Sequence, residues 1–159
     1  MFFLEFCHWL AKSHIGVIMR DSTWGFAIVE IGHLLALAIF GGAVLLVDLR
    51  FLGLGFRTQS KSQVARELLP LTVGGVILMF VSGFLLMANG PIRYYYNPAF
   101  RLKMCLFFLA LCFHFILQTR VARQTLKGED NSRWLKAGAI VSLVLWFSIG
   151  LAGRAIGYV

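Results

Sequence analysis

The sequence predicts an all-α integral membrane protein, a four-helix bundle preceded by an N-terminal amphipathic interfacial helix. Of its 159 residues, 59% are hydrophobic, and the mean hydropathy is +0.80, well above that of soluble domains. Four apolar runs reach the ~20 residues that cross a bilayer, and short basic segments connect them. The net charge of +8 therefore reflects membrane topology and not nucleic-acid binding. The length has room for one bundle, so we predict a single membrane domain over residues 1–159.

The first element is predicted as an amphipathic helix over about residues 3–20, lying at the membrane interface. Its polar face carries Glu5, His8, Lys12 and Arg20. Charges among these residues interrupt the apolar core that a cleavable signal peptide needs. We expect Asp21 or Ser22 to cap the first spanning helix.

Spanning helices are predicted over about 24–47, 69–89, 102–119 and 135–157, with sequential helices as antiparallel neighbours. The connections 48–68 and 120–136 together carry nine of the lysines and arginines, and the rest of the chain carries six. The positive-inside rule then places both connections in the cytoplasm and both termini outside. We expect a multi-pass protein of the bacterial cytoplasmic membrane with periplasmic termini.

Two of the four histidines, His33 and His114, fall inside predicted spans. Counted from the helix starts at ~1.5 Å per residue, they lie roughly 13 and 18 Å below the outer boundary. Two such histidines on different helices can hold a b-type haem, with one imidazole on each side of the iron. The cations expected to bind the haem propionates are Lys103, Arg154 and Arg101. A membrane histidine can instead simply hydrogen-bond a neighbouring helix.

Glu30 precedes His33 by one helical turn. A charge there is costly, so we expect the carboxyl to be protonated or paired. Its candidate catalytic role is to relay protons to a quinone, and it could also accept a hydrogen bond from an imidazole N–H. A di-iron carboxylate site would need a second E-x-x-H motif, and the chain has one. His14 is a candidate ligand of a second haem, and Asp48 with Arg50 is predicted as a local ion pair or anchor.

Four stretches resemble an uncharacterised bacterial family of small four-helix membrane proteins, a domain of unknown function. They are MRDSTWGFAIVEIGHLLALA (19–38), VDLRFLGL (47–54), NPAFRLKMCLFFLALCFHF (97–115) and LAGRAIGY (151–158). The family pattern falls here on Glu30, His33, Asp48, Arg50, Arg101, Lys103, His114 and Arg154. The chain departs from it at Gly25-Phe26-Ala27, where the family usually has a proline. The resemblance implies topology and no activity, and the layout is also similar to four-helix b-type cytochromes.

The leading functional expectation is a membrane b-type haem protein that transfers electrons, to or from quinone or as the membrane subunit of a larger redox complex. His33 and His114 would be its metal ligands. One alternative is a non-catalytic structural or assembly subunit. Another is a small transporter or metal-handling protein with Glu30, His33, His114 and Arg154 along its pathway. The expected partners are the lipid bilayer, quinone, a periplasmic or membrane redox protein and further subunits of a homo- or hetero-oligomer. Whether the protein is an enzyme stays open.

Overall fold

The computed structural model describes residues 2–55, 58–123 and 133–158, and this part of the chain contains seven helices and no strand. The helices are α1 (Phe2–Lys12), α2 (His14–Asp21), α3 (Thr23–Leu52), α4 (Lys61–Ala88), α5 (Pro91–Tyr96), α6 (Pro98–Ala122) and α7 (Arg133–Ala155). Helices α3, α4, α6 and α7 are each long and apolar enough to span a membrane. The predicted fold class is thus confirmed. Arg57 and Lys127, which contribute to the predicted orientation, lie outside the described residues.

The four long helices form a ring in which each packs mainly against two antiparallel neighbours. Helix α3 packs against α4 and α7, and α6 packs against the same two. Helices α3 and α6 are therefore diagonally opposite and face each other across the bundle axis. The short helices α1, α2 and α5 lie at the end where α3 and α6 begin. We call this the upper end of the bundle, and the opposite one the lower end.

The N-terminal segment forms two helices where the sequence predicts one. Ser13 ends α1 and caps α2, since its Oγ accepts a hydrogen bond from the Gly16 amide at 3.2 Å. A Cβ atom on Gly16 would lie 2.3 Å from the Leu10 carbonyl oxygen, so the turn needs glycine at this position. Helix α1 buries Cys7 and Leu10, and the Phe3 ring lies 5.8 Å from the Tyr95 ring of α5. The segment covers the upper end of the bundle.

Helix α3 continues five residues beyond its predicted end. It stops at Leu52, where Gly53 adopts the left-handed conformation (φ 87°) that commonly terminates helices. Phe51, which is buried, and Leu52, which is half-buried, continue the packed face of the helix beyond the D-L-R segment (48–50). As a consequence, Asp48 lies inside the spanning helix and not in the connection after it.

An aromatic layer fills the bundle midway along its length. The Trp146 ring contacts the Phe40 ring edge-on at 4.9 Å and the Phe107 ring at 6.0 Å. These three residues are called the aromatic belt below. Phe40 also lies where α3 and α4 approach most tightly, because a Cβ atom on Gly75 would be 2.8 Å from the Phe40 Cβ.

Helices α3 and α6 begin at different levels. Phe40 and Phe107 lie at about the same height, since both contact Trp146. Helix α3 begins seventeen residues before Phe40, whereas α6 begins nine residues before Phe107. At ~1.5 Å per residue, α3 therefore starts about 12 Å further toward the upper end. Glu30 consequently lies at the level of Asn97, where α6 begins.

Candidate functional site

The structure does not bring His33 and His114 together. The imidazole Nδ1 of His114 lies 3.7 Å from a carboxyl oxygen of Asp48. Asp48 follows His33 by fifteen residues on the continuous helix α3, which is about 22 Å along its axis. Axial imidazoles contact opposite faces of one iron atom, so this pair does not fit a single haem. The depths of His33 and His114 were estimated by counting residues from each helix start, on the assumption that both helices start at the same level. The structure shows that α3 starts about 12 Å further toward the upper end than α6.

His33 belongs to a polar group near the upper end, formed with Ser82 and Lys103. We call these three residues the upper cluster. The Ser82 hydroxyl donates to the Leu78 carbonyl at 2.6 Å, and its oxygen lies 2.8 Å from His33 Nδ1. With the serine hydrogen directed to Leu78, the donor in this contact is assigned as Nδ1–H of His33. The other ring nitrogen, Nε2, therefore has no role in holding the ring.

Lys103 approaches His33 from α6, across the bundle, and the two side chains interact electrostatically. Its aliphatic chain lies against Gly153 of α7, where a Cβ atom would be 3.6 Å from both Cε and Nζ. In the described part of the chain, the ammonium has neither a hydrogen bond nor an ion pair. The upper cluster thus contains a partly buried cation without a counter-charge.

The other residues predicted around the haem lie on the outside of the upper end. Glu30 and Arg101 are exposed, and Ser82, not Glu30, pairs with His33 Nδ1. Arg154 is also exposed, and its guanidinium lies 5.5 Å from the centre of the Tyr158 ring. Of the three predicted propionate ligands, only Lys103 reaches the axis.

The remaining predicted metal ligand, His14, is exposed on α2. Residues 2–55, 58–123 and 133–158 contain no group of three or more His, Cys, Asp or Glu side chains arranged to hold a metal ion. A second haem at His14 stays a prediction.

A second polar group lies below the aromatic belt and draws on all four spanning helices. We call it the lower cluster: Asp48 of α3, Thr72 of α4, His114 and Gln118 of α6, and Ser142 of α7. His114 Nδ1 is 3.2 Å from the Ser142 hydroxyl and 3.7 Å from Asp48. Gln118 donates from Nε2 to the Ala65 carbonyl at 3.1 Å and to Thr72 at 3.4 Å. All five side chains are buried.

Several buried atoms in and beside the lower cluster have no hydrogen-bond partner. They are both carboxyl oxygens of Asp48, Nε2 of His114, Oε1 of Gln118 and Nε1 of Trp146. The Ser142 hydroxyl lies near the Asp48 carboxyl, but not in hydrogen-bonding geometry. Buried polar atoms in native proteins are nearly always satisfied. A concentration of unpaired buried atoms such as this one needs a physical explanation.

Sequence reasoning missed the importance of Asp48, Gln118 and Ser142. Asp48 is not held by Arg50, whose guanidinium Nε donates to the Gln59 carbonyl at 2.9 Å. Residues two apart point to different sides of a helix, so Arg50 anchors the connection while Asp48 faces the axis. Gln118 follows His114 by four residues, a spacing that places both on one face. That spacing was the available signal.

Comparison with known proteins adds a family and no activity. No curated protein and no solved structure matches the chain. A family model, described as a family of unknown function, DUF6644, matches residues 6–159 and so covers both polar clusters and the belt between them. The chain therefore belongs to the DUF6644 family.

Proposed function

We propose that this protein binds and relays protons within the membrane, as a small proton-translocating or proton-coupled membrane protein. One observation carries the proposal: Asp48 and His114, both fully buried, lie 3.7 Å apart on diagonally opposite spanning helices. Ionisable side chains inside spanning helices are costly and commonly mark proton and ion pathways.

A carboxyl group and an imidazole in contact can share one proton while their total charge stays zero. The proton resides either on the carboxyl oxygen or on Nδ1 of the ring. A neutral pair avoids the large cost of an isolated charge in an apolar interior. Binding of a second proton makes the pair positive, and loss of the first makes it negative. In these steps the pair exchanges a proton with neighbouring groups.

The unsatisfied atoms of the lower cluster support a working site over a purely structural lock. A polar network that only joins helices gains most when every donor and acceptor is paired. Here the His114 and Gln118 side chains lie close together on one face of α6, yet Nε2 of His114 and Oε1 of Gln118 are not in hydrogen-bonding geometry. Small side-chain rotations could pair these atoms or admit a water molecule, and either change would alter where the proton rests.

The aromatic belt supplies the barrier in this proposal. Trp146 contacts the His114 ring at 6.4 Å and the Phe40 ring at 4.9 Å, so it separates the lower cluster from the upper one. In this proposal the belt interrupts the polar path at rest, and a proton passes when the belt side chains move, so the protein conducts protons slowly without opening a continuous path.

Proton flux in liposomes tests the proposal. The purified protein is reconstituted with a pH-sensitive dye inside the vesicles, and a potassium diffusion potential drives protons inward. We expect flux in the wild type and at least a tenfold loss in Asp48→Asn and in His114→Gln, with folding retained by circular dichroism. Glu67→Gln, at an exposed acid of α4, is the matched control and should keep the flux. Wild-type flux equal to that of empty liposomes would contradict the proposal.

Electron transfer through haem, with quinone and a redox partner, stays a separate proposal. The cations at the upper end favour it, since they would suit propionates, while the separation of His33 from His114 does not support it. A reduced-minus-oxidised spectrum of the same purified protein tests it directly. The structural-subunit alternative predicts that Asp48→Asn changes thermal stability only, with no wild-type flux to lose.

A further inference from the structure

We infer that the upper cluster is an anion-binding site that takes a single carboxylate or phosphate group, from a small solute or from a lipid headgroup. This inference does not rest on the proposed proton relay. It follows from the charge and hydrogen-bonding state of His33, Ser82 and Lys103, which nothing in the lower cluster determines.

The first step is the charge of the cluster. Lys103 brings an ammonium group into the bundle, close enough to His33, another nitrogen base, for the two side chains to interact electrostatically. No carboxylate in the described part of the chain forms an ion pair with Lys103. Lys103 is half-buried and has lost part of its contact with solvent, so an anion bound beside it would supply the opposite charge that the cluster lacks.

The second step is the orientation of the donors. Ser82 fixes the imidazole through Nδ1 at 2.8 Å, which leaves Nε2 as the available edge of the His33 ring. An anionic oxygen beside the ring could accept from Lys103 Nζ and, when the ring carries its second proton, from Nε2. Charge-assisted hydrogen bonds of this kind are shorter and about twice as strong as neutral ones.

The third step is the space around the two nitrogen groups. Gly83 lies beside the imidazole, where a Cβ atom would be 3.3 Å from Cε1. Gly153 lies beside the ammonium, where a Cβ atom would be 3.6 Å from Nζ. Each group therefore has a glycine on one side, where no side chain takes up space beside it. Gly150, one turn before Gly153 on α7, has no such neighbour within 4 Å.

The fourth step is access. Arg101 and Arg154 are exposed at the upper end, where they raise the local concentration of anions near the cluster. The aromatic belt lies below the upper cluster, so the charged end of a ligand is expected at the cluster and any apolar part of it toward the belt. The site suits the anionic end of a molecule that enters from the upper end.

Thermal unfolding in neutral detergent tests the site, with inorganic phosphate and sodium acetate as probes and sodium chloride at matched ionic strength as the reference. We expect saturating phosphate or acetate to raise the wild-type Tm by roughly 5 °C more than chloride does. Lys103→Met should unfold at a higher temperature than the wild type without probe, because an unpaired cation is removed, and should show no response to phosphate or acetate.

Two glycine variants keep the test decisive if Lys103→Met does not fold. Gly153→Ala places a methyl group in van der Waals contact with the ammonium. It takes up space that an anion beside Nζ would use, and should weaken the response to the probes at least threefold in midpoint concentration. Gly150→Ala is the matched control and should respond like the wild type. Responses that are equal in Gly153→Ala and Gly150→Ala, or equal for chloride and phosphate, would overturn the inference.

Nanodiscs distinguish the two sources of the anion. If a lipid headgroup is the ligand, phosphatidylglycerol should raise the wild-type Tm over phosphatidylcholine, and Gly153→Ala should lose part of that increase. If a solute is the ligand, phosphate or acetate should act in phosphatidylcholine alone. No response to either probe or to phosphatidylglycerol overturns the inference.

Discussion

His114 Nδ1 lies 3.7 Å from a carboxyl oxygen of Asp48, and neither side chain is exposed to solvent. The two residues belong to α3 and α6, which are separated by α4 and α7 around the ring. The contact therefore crosses the bundle axis.

Removing both members of this pair should destabilise the bundle by less than the sum of the two single removals. We expect Asp48→Ala and His114→Ala each to lower the free energy of unfolding by about 3 kcal/mol, because each leaves a buried polar partner behind. The double variant should cost less than the sum by roughly 1–3 kcal/mol. Unfolding in mixed detergent micelles, followed by circular dichroism, measures the four proteins. Strict additivity would show that the two side chains do not interact.

Gly75 should be intolerant of even a methyl group. Its added Cβ would lie 2.8 Å from the Phe40 Cβ and 3.0 Å from the Phe40 Cα, so α3 and α4 would have to move apart. We expect Gly75→Ala to destabilise the protein by about 1–3 kcal/mol. Gly74→Ala is the matched control, since nothing lies within 4 Å of its added Cβ, and alanine should be neutral there or stabilise the helix by up to ~1 kcal/mol. The same unfolding assay compares them, and equal effects would contradict the close approach at Phe40.

The hydrogen bond from His33 to Ser82 gives a third prediction. Ser82→Ala leaves the Nδ1–H of His33 without a partner and should lower the free energy of unfolding by about 1 kcal/mol or more. Ser148 provides the comparison, because it also donates to the carbonyl four residues earlier, at 2.7 Å, but is not paired with a histidine. Ser148→Ala should change stability by less than ~0.5 kcal/mol. Nitrogen NMR of labelled histidine should show a proton on His33 Nδ1 in the wild type, and a bare Nδ1 would refute the assignment.

Cys7, on the interfacial helix α1, should be a slow thiol. Its side chain is 1% exposed, and burial raises the pKa of the Cys7 thiol above its ordinary value. Since the thiolate is the reactive form, alkylation by N-ethylmaleimide should be slow at neutral pH and become fast only above the pH at which ordinary thiols react. The folded state prefers the protonated thiol, so this contribution to stability is present at neutral pH and is lost as the pH rises through the raised pKa.

Mass spectrometry of labelled protein measures the Cys7 rate in a Cys105→Ser/Cys112→Ser background. A cysteine introduced by Val17→Cys, at an exposed position of α2, serves as the reference and should label at least tenfold faster. Equal rates for the two cysteines would contradict the burial of Cys7, and unfolding in SDS should remove the difference.

The spanning helices could be predicted because ~20-residue apolar runs have few other stable solutions. The start of α4 could not be predicted from the sequence, because the residues Lys61–Leu68 are polar enough to resemble a connection between helices. The start of α6 was placed four residues late for a related reason: Asn97 caps the helix through Phe100, although Pro98 and Arg101 suggested a loop.

The partners of the candidate residues depend on the vertical offset between helices, which no single helix encodes. The offset of α3 against α6 is fixed by packing at Phe40, Gly75 and Trp146, residues that the sequence presents only as apolar or small. The sequence analysis therefore pairs His33 with His114, although their levels along the bundle differ by about 22 Å. The neighbours of His33 in the structure, Ser82 and Lys103, could be identified only after the offset between α3 and α6 was known.

The distance of ~20 Å between the two clusters also determines how strongly a membrane voltage acts on a charge that moves between them. The hydrocarbon layer of a bilayer is about 30 Å thick, so a charge moved between His33 and Asp48 would cross roughly two-thirds of it. A membrane voltage of 100 mV would then do about 1.5 kcal/mol of work on each elementary charge so moved. The occupancy of the two clusters would consequently respond to voltage as well as to concentration.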